Sequence, residues 1–199
     1  MTTTLVVALG LVPAVLIARD WLAGHLTEPV DEITHRTGWW TLFLLTSTLA
    51  MTPLRRVTGW NAVIGQRRTL GLLAFTYATL HLLTYLVLDQ FFGWSYIVED
   101  IAKRPYITVG FTAWLLLVPL AVTSTRGWVR RLGKRWVTLH NAVYVVAGLG
   151  ILHFVWLVKA DLREPATFGL AIVLLLAARL VRTPGQRSRA RLSVKDPSA

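Results

Sequence analysis

The chain has 199 residues, of which 54% are hydrophobic and only 16% are charged. A soluble domain of this length needs more polar surface, so the composition excludes an ordinary soluble protein and predicts a polytopic membrane protein that folds as one unit. Lysine and arginine outnumber aspartate and glutamate by 21 to 10, but they stand in short clusters between apolar runs, which indicates membrane topology and argues against nucleic-acid binding.

Six apolar segments approach the roughly 20 residues that a membrane-spanning helix needs, although some are short. They lie at about residues 2–18, 38–54, 69–89, 107–124, 137–158 and 166–181. The first has no lysine or arginine before it and no clear small-residue cleavage site, so we expect a retained helix and not a secretion signal. The pattern predicts an all-α, six-helix transmembrane bundle over residues 1–181. A basic tail, 182–199, follows, and we expect it to be disordered or to lie against anionic lipid headgroups.

Basic residues are distributed unevenly between the two sides of the predicted bundle. The loops 55–68 and 125–136 and the tail carry most of the lysines and arginines, whereas the opposite side carries most of the acids. The positive-inside rule therefore puts both termini in the cytoplasm. The same basic loops could instead form a docking surface for an acidic soluble partner. The aromatic-rich loop 90–106 is expected at the outer membrane interface, where tryptophan and tyrosine are favoured.

The chain has five histidines and no cysteine, so histidine is its only strong nitrogen ligand for a metal, and covalent c-type haem attachment is excluded. His25 and His35 fall in the first outer loop, where we expect solvated side chains. His81, His140 and His153 fall inside predicted spans, where ionisable residues are rare and usually functional. The spans hold no carboxylate away from their ends, which argues against a proton relay.

The three buried histidines are predicted at two depths. With a rise of about 1.5 Å per residue, His81 and His153 lie in the outer half of the bilayer and His140 in the inner half. Two levels of ligand suit a pair of stacked haems held between facing helices, and we predict His81 and His153 as the axial pair of the outer one. His140 has no histidine partner at its depth. Its haem would be five-coordinate, take a non-histidine ligand or share a ligand, unless only one haem binds. Neutral imidazoles hydrogen-bonded between helices are the alternative.

The spacing of His140 and His153 raises a difficulty for a regular helix. Side chains thirteen residues apart point about 220° away from each other around a straight helix. His140 and His153 would therefore face different sides of the helix, each toward its own haem, unless the helix is locally distorted. Gly148 and Gly150 lie between them and would leave room for a flat macrocycle or for ordinary close helix packing. No internal repeat stands out.

Several stretches resemble the MsrQ (YedZ) family. They include TPLRR at 52–56, RRTLGLLAFTYATLHLLTYLVLD at 67–89, DIAKRPYITVG at 100–110, LHNAVY at 139–144 and LHFVWLVKAD at 152–161. The resemblance extends over most of the chain from about residue 28 to 181. Asn141 departs from the pattern, in which a basic residue is expected after the histidine.

The resemblance implies the ferric-reductase-like transmembrane superfamily and a place in the bacterial inner membrane. It implies b-type haem held by histidines that match His81, His140 and His153, and FMN as a further cofactor. Electrons would come from the quinone pool or a cytosolic flavin reductase and pass to the periplasmic molybdopterin subunit MsrP, which reduces methionine sulfoxide in oxidised proteins. Four cationic cytoplasmic side chains are candidates for the FMN phosphate: Arg67, Arg68, Arg130 and Arg131.

The sequence favours an electron-transfer subunit over a catalytic one, because it offers no nucleophile–base set, no carboxylate pair and no large soluble domain. The alternative is a self-contained transmembrane reductase of ferric ion or quinone. A channel or transporter would need a path lined by polar residues, and the spans have too few.

Overall fold

The computed structural model describes residues 2–158 and 160–180, and this part of the chain is helical with no strand. The all-α prediction is therefore confirmed. The helices are α1 Thr3–Leu22, α2 Pro29–Thr58, α3 Ala62–Leu83, α4 Trp94–Lys103, α5 Pro105–Val122, α6 Arg126–Leu132, α7 Lys134–His140, α8 Ala142–Leu157 and α9 Arg163–Leu180. A π-helical segment, Thr84–Asp89, extends α3 directly. The predicted tail, 182–199, lies outside the described residues.

Each of the six predicted spans falls on a helix, but not all of these helices are equally apolar. Four helical stretches are long and apolar enough to cross a membrane: Thr3–Leu22, Ala62–Asp89, Pro105–Val122 and Lys134–Leu157. The other two segments lie on α2, whose apolar part is rich in threonine and tryptophan, and on α9, which carries charged residues near both ends. The molecule is thus a membrane protein with several apolar helices, and the full six-span arrangement is taken up below as a proposal.

Helix α2 begins well before its predicted start at about residue 38. Pro29 occupies its first turn, where a missing backbone N–H costs nothing, and Asp31 and Glu32 complement the positive end of the helix dipole. The helix ends at Gly59, which has a φ of 70° and so adopts the left-handed conformation that glycine tolerates. As a consequence His35 lies on α2 and not in a loop, which corrects the sequence interpretation.

The core forms where α2 packs on α3 and α5 packs on α8. Small residues occupy the closest contacts of this core and let the helix backbones approach: Ala74, Ala78, Ala113 and Ala147. Larger side chains fill the space between them: Leu44, Leu49, Tyr77, Leu117 and Val146. Helix α9 closes the remaining side against α2 and α8.

Helix α1 is tied to the core by one hydroxyl group. The Tyr77 side chain is fully buried, and its hydroxyl donates to the Gly10 carbonyl at 2.8 Å and accepts from the Ala14 amide at 3.0 Å. A Cβ at Gly10 would lie 2.5 Å from Cδ1 of Leu73, so glycine is what allows α1 to approach α3 this closely.

Candidate functional site

His81 and His153 lie next to each other in the space between the two main helix pairs. Their ring centroids are 6.0 Å apart, and their ring planes stand at 88°. His81 is on α3 and His153 is on α8, so the two imidazoles approach from different helices. The structure therefore brings together the two residues that the sequence predicts as an axial pair.

The tautomer of both rings is set by backbone carbonyl groups. Nδ1 of His81 lies 2.9 Å from the Thr34 carbonyl oxygen, and Nδ1 of His153 lies 2.7 Å from the Tyr106 carbonyl oxygen. A carbonyl oxygen can only accept, so each Nδ1 must carry the proton and donate it. Each Nε2 then keeps its lone pair, which is the arrangement that orients a metal-binding imidazole.

The separation of the rings fits one metal ion between them. A metal–imidazole bond is about 2.0–2.1 Å, so two Nε2 atoms on opposite sides of one ion are about 4 Å apart and their ring centres about 6 Å apart. The observed centroid distance is 6.0 Å. Two imidazoles at this separation could both bind one haem iron, which would supply one-electron chemistry at this place.

Two glycines make room for the two imidazole rings. A Cβ at Gly38 on α2 would lie 3.1 Å from Cε1 of His81, and a Cβ at Gly110 on α5 would lie 2.7 Å from Nδ1 of His153. Each glycine stands one turn after the residue whose carbonyl binds the same ring. Each imidazole therefore lies on a helix backbone, between a glycine and a carbonyl group.

Sequence reasoning missed these two glycines and considered Gly148 and Gly150 instead. A Cβ at Gly150 would lie 3.1 Å from Cδ2 of Leu42, a tight helix–helix contact away from both histidine rings, and a Cβ at Gly148 would meet nothing within 4 Å. A signal was present in the sequence. The two carbonyl-bearing residues stand the same 47 residues before their histidines, and glycine follows each by one turn. Only three residues correspond between the two helix pairs, which is too few to be recognised as a sequence repeat.

Polar contacts fasten the N-terminal end of α5, whose first turn provides the carbonyl for His153. Arg104 forms an ion pair with Asp100 at 3.1 Å and donates to the Tyr106 hydroxyl at 3.5 Å. The hydrogen bond to Tyr106 raises the pKa of the Arg104 guanidinium, so it stays charged. Tyr85, on the π-helical segment after His81, donates to the same Asp100 carboxylate at 3.2 Å. The π-helical extension of α3, the C-terminal end of α4 and the N-terminal end of α5 are joined in this way.

His140 occupies a separate position at the end of α7. Its Nδ1 lies 3.1 Å from the Trp136 carbonyl oxygen of its own helix, and its ring stacks on the Trp136 ring at 3.8 Å. Its Nε2 is buried and makes no well-formed hydrogen bond with the described residues, although the Leu120 backbone lies close to the ring. A buried nitrogen whose lone pair is unused costs free energy. The Nε2 atom of His140 is therefore suited to bind the metal of a bound group. No other histidine ring packs against it in residues 2–158 and 160–180.

The predicted continuous helix 137–158 is distorted directly after His140. Helix α7 ends at His140 and α8 begins at Ala142, and the Asn141 amide is shared between the Val137 and Thr138 carbonyls at 3.0 and 3.2 Å. Of the two alternatives that the spacing left open, the structure shows the locally distorted helix. His140 and His153 therefore lie on one long helical stretch, Lys134–Leu157, with a tightened turn at Asn141 between them.

The remaining two histidines are exposed, as expected for solvated side chains. Nε2 of His35 lies 3.2 Å from the Glu164 carboxylate, with both side chains about half exposed. No group of three or more potential metal-binding side chains of the His, Cys, Asp and Glu types occurs in the described part of the chain.

Residues 37–151 match the family described as "Ferric reductase like transmembrane component". A protein of Xanthomonas campestris pv. campestris (strain 8004), named protein-methionine-sulfoxide reductase heme-binding subunit MsrQ, is 55% identical over 172 residues, which cover 86% of this chain and 79% of that protein. The chain belongs to the MsrQ family. The similarity to this relative covers more of the chain than the matched core of residues 37–151.

Two further MsrQ relatives show the same extent of similarity. The MsrQ of Xanthomonas axonopodis pv. citri (strain 306) is 50% identical over 203 residues, covering 98% of this chain and 93% of that protein. The MsrQ of Rhodospirillum rubrum (strain ATCC 11170) is 52% identical over 181 residues, covering 90% of this chain and 86% of that protein. No solved structure gives a significant match. The family resemblance read from the motifs is confirmed.

Proposed function

We propose that this chain is a haem b electron-transfer subunit of the bacterial inner membrane. It carries electrons from the quinone pool or a cytosolic flavin reductase to a periplasmic molybdopterin methionine sulfoxide reductase, MsrP, for the repair of oxidised proteins. The observation that carries the proposal is the pair of imidazoles, His81 and His153, whose centroids are 6.0 Å apart and whose Nδ1 atoms are both bound by backbone carbonyls. The names of the relatives, heme-binding subunits, support the cofactor class.

The chain's own residues have distinct parts in this proposal. A bound haem supplies an iron that accepts and releases one electron at a time. His81 and His153 hold that iron, and the Thr34 and Tyr106 carbonyls fix the two rings in the ligating tautomer. The surrounding apolar helices exclude water, and burial of this kind is one of the factors that set a haem's reduction potential.

A second haem at the inner level is supported by His140. Its buried Nε2 makes no well-formed hydrogen bond in the described ranges, and Trp136 stacks flat on its ring and fixes its orientation. We assign His140 as the protein ligand on one side of this haem. No second histidine of the described residues lies at this ring, so a haem here would be five-coordinate, take a non-histidine ligand or share a ligand, unless only one haem binds.

The topology of the proposal has six spans with both termini in the cytoplasm, a haem domain over 1–181 and a basic tail over 182–199. Helix α2 can cross a membrane in spite of its threonines, since Thr37, Thr41 and Thr48 donate their hydroxyls to carbonyls of their own helix. The charges of α9 stand at its two ends, which reach opposite membrane interfaces.

FMN belongs to the proposal through the family resemblance alone. Its phosphate would be held by cationic groups of the cytoplasmic loops, for which Arg67, Arg68, Arg130 and Arg131 remain predictions. Arg131 lies over the Trp128 ring at 5.2 Å. Replacing Arg131 and Trp128 and measuring the flavin content of the purified protein tests the FMN assignment separately from the haem assignment.

The names of the relatives, subunits of a protein-methionine-sulfoxide reductase, support a catalytic partner protein. The alternative function, a self-contained transmembrane reductase of ferric ion or quinone, predicts turnover of these substrates without any partner. Rapid mixing of the dithionite-reduced protein with ferric chelate, quinone or purified MsrP separates the two. The proposed function requires fast reoxidation by MsrP.

The deciding experiment for the cofactor is the absorption spectrum of detergent-purified protein, oxidised and dithionite-reduced, with pyridine haemochrome quantitation. We expect a sharp reduced α-band and a b-type haemochrome, with up to two haems per chain. Colourless protein from cells with ample haem would refute the proposal and return the three histidines to helix packing.

A further inference from the structure

Arg179, on the last turn of α9, makes an unusual set of contacts for a basic residue near a helix end. Its Nη2 donates to the Leu49 carbonyl of α2 at 2.5 Å, and its Nη1 donates to the Tyr144 hydroxyl of α8. Its guanidinium also lies over the Tyr144 ring, 5.4 Å from the centroid. One side chain therefore joins α9 to both α2 and α8.

The Leu49 carbonyl needs an outside donor because of the sequence of α2. The backbone N–H that would normally bind it belongs to the residue one turn later, which is Pro53 and has no N–H. Leu49 is fully buried, so water cannot take the place of that donor. Arg179 supplies it. Arg56, on the next turn of α2, donates in return to the Arg179 carbonyl at 2.7 Å.

Tyr144 connects this junction to the inner histidine. It stands one turn after His140, on the far side of the tightened turn at Asn141. On the near side, Nε1 of Trp136 donates to the Thr123 carbonyl at 2.9 Å. The hydrogen bond of His140 itself stays within α7. Besides the apolar packing of Leu139 and Ala142, two polar anchors therefore hold the segment that carries His140, one before and one after Asn141.

We propose that Arg179 is a positioning residue for the inner haem site. It pins Tyr144, and with it the start of α8, against the proline-interrupted part of α2, and so fixes the segment that carries His140. This inference rests on the proposed function, since it assumes that His140 holds a haem. The basic residues near the inner membrane face then have more than a topological role, because one of them is built into the helix packing.

The test compares purified variants by EPR and by redox titration of the haem absorbance. His140→Ala first defines the signals that depend on the inner histidine. We expect Arg179→Met to shift or abolish those signals and to leave the His81–His153 haem unchanged. Tyr144→Phe removes only the hydroxyl acceptor and keeps the positive charge, so a shift in this variant shows that position and not charge is the cause. Arg163→Met, at the exposed opposite end of α9, is the matched control and should behave as wild type.

The outcomes separate the two hypotheses. If His140→Ala loses no haem signal, the inner haem of the proposed function is wrong and the role of Arg179 is overturned with it. If His140→Ala loses a signal that Arg179→Met and Tyr144→Phe both keep unaltered, only the inference about Arg179 is overturned. Should Arg179→Met fail to assemble, Tyr144→Phe decides alone: a shifted inner signal supports the proposal, and an unshifted one refutes it.

Discussion

At the scale of single residues, the candidate site depends on backbone features as much as on side chains. The imidazoles of His81 and His153 each contact a glycine and a carbonyl of the neighbouring helix. A carbonyl is present at every position, so its use leaves no mark on the sequence. Histidine inside an apolar run is visible, whereas the two groups that orient it are not.

The tightest of these contacts gives the first prediction. Gly110→Ala places a methyl group 2.7 Å from Nδ1 of His153. The imidazole is held by the Tyr106 carbonyl, so either the ring or the backbone of α5 must move. Overpacking of this kind costs about 1–3 kcal/mol, so we expect haem affinity at the outer site to fall by about fivefold or more. Haem per protein, measured by pyridine haemochrome, checks it. Gly71→Ala is the control, because its new methyl meets only Cγ2 of Thr48 at 3.8 Å. Equal haem content in both variants would contradict the described contact.

Removal of the histidines themselves gives the second prediction. His81→Ala and His153→Ala should each abolish the outer haem, because each removes one of two axial ligands. His140→Ala should affect a different haem or none. Reduced-minus-oxidised spectra of the three variants distinguish these results. Full haem content in all three would refute the ligand assignment.

At the scale of helices, the sequence located the elements better than their ends and irregularities. All six apolar segments lie on helices, since apolar length is a strong local signal. The early start of α2 could have been read from Pro29 and the acids after it. The irregular turn at Asn141 and the π-helical segment after His81 have no comparable sequence signal. Such irregularities depend on contacts with neighbouring helices.

The attachment of α1 gives the third prediction. Tyr77→Phe removes the hydroxyl that pairs with the Gly10 carbonyl and the Ala14 amide in an apolar environment. The Gly10 carbonyl and the Ala14 amide can still bond to each other along α1, so the loss is that of one interhelical hydrogen-bonding group. That loss is about 0.5–1.5 kcal/mol, so we expect a slightly lower unfolding temperature in detergent. Tyr96→Phe, at a side chain that is mostly exposed, is the matched control. An unchanged unfolding temperature in Tyr77→Phe would mean that α1 is held by apolar packing alone.

At the scale of the whole molecule, orientation is the property to test. The chain has no native cysteine, so single cysteines can report topology without interference. Ser95, at the start of α4, and Asn61, between α2 and α3, are both exposed. In intact spheroplasts, Ser95→Cys should react with a membrane-impermeant thiol reagent, and Asn61→Cys should react only after lysis. The reverse labelling pattern would overturn the assignment of both termini to the cytoplasm.

The sequence by itself determined the class of the protein and the positions of its long apolar helices, and it singled out the three histidines of those helices. It missed the short helices α4 and α6, which it described as loops. What it determined follows from local rules, because a lipid-spanning helix must be apolar along its own length and an ionisable side chain within it stands out. The family relationship was also readable from short motifs and is confirmed by relatives that cover most of the chain.

Only the tertiary structure decided how those histidines are arranged. It brought His81 and His153 to 6.0 Å, selected Gly38 and Gly110 as their contacts, and placed a tightened turn at Asn141 between His140 and His153. The same holds for Arg179, which supplies the hydrogen bond that Pro53 cannot. The physical reason is common to all of these contacts. They satisfy backbone groups of one helix with side chains of another, and which helices meet is fixed by packing across the bundle and not by the residues next to each other along the chain.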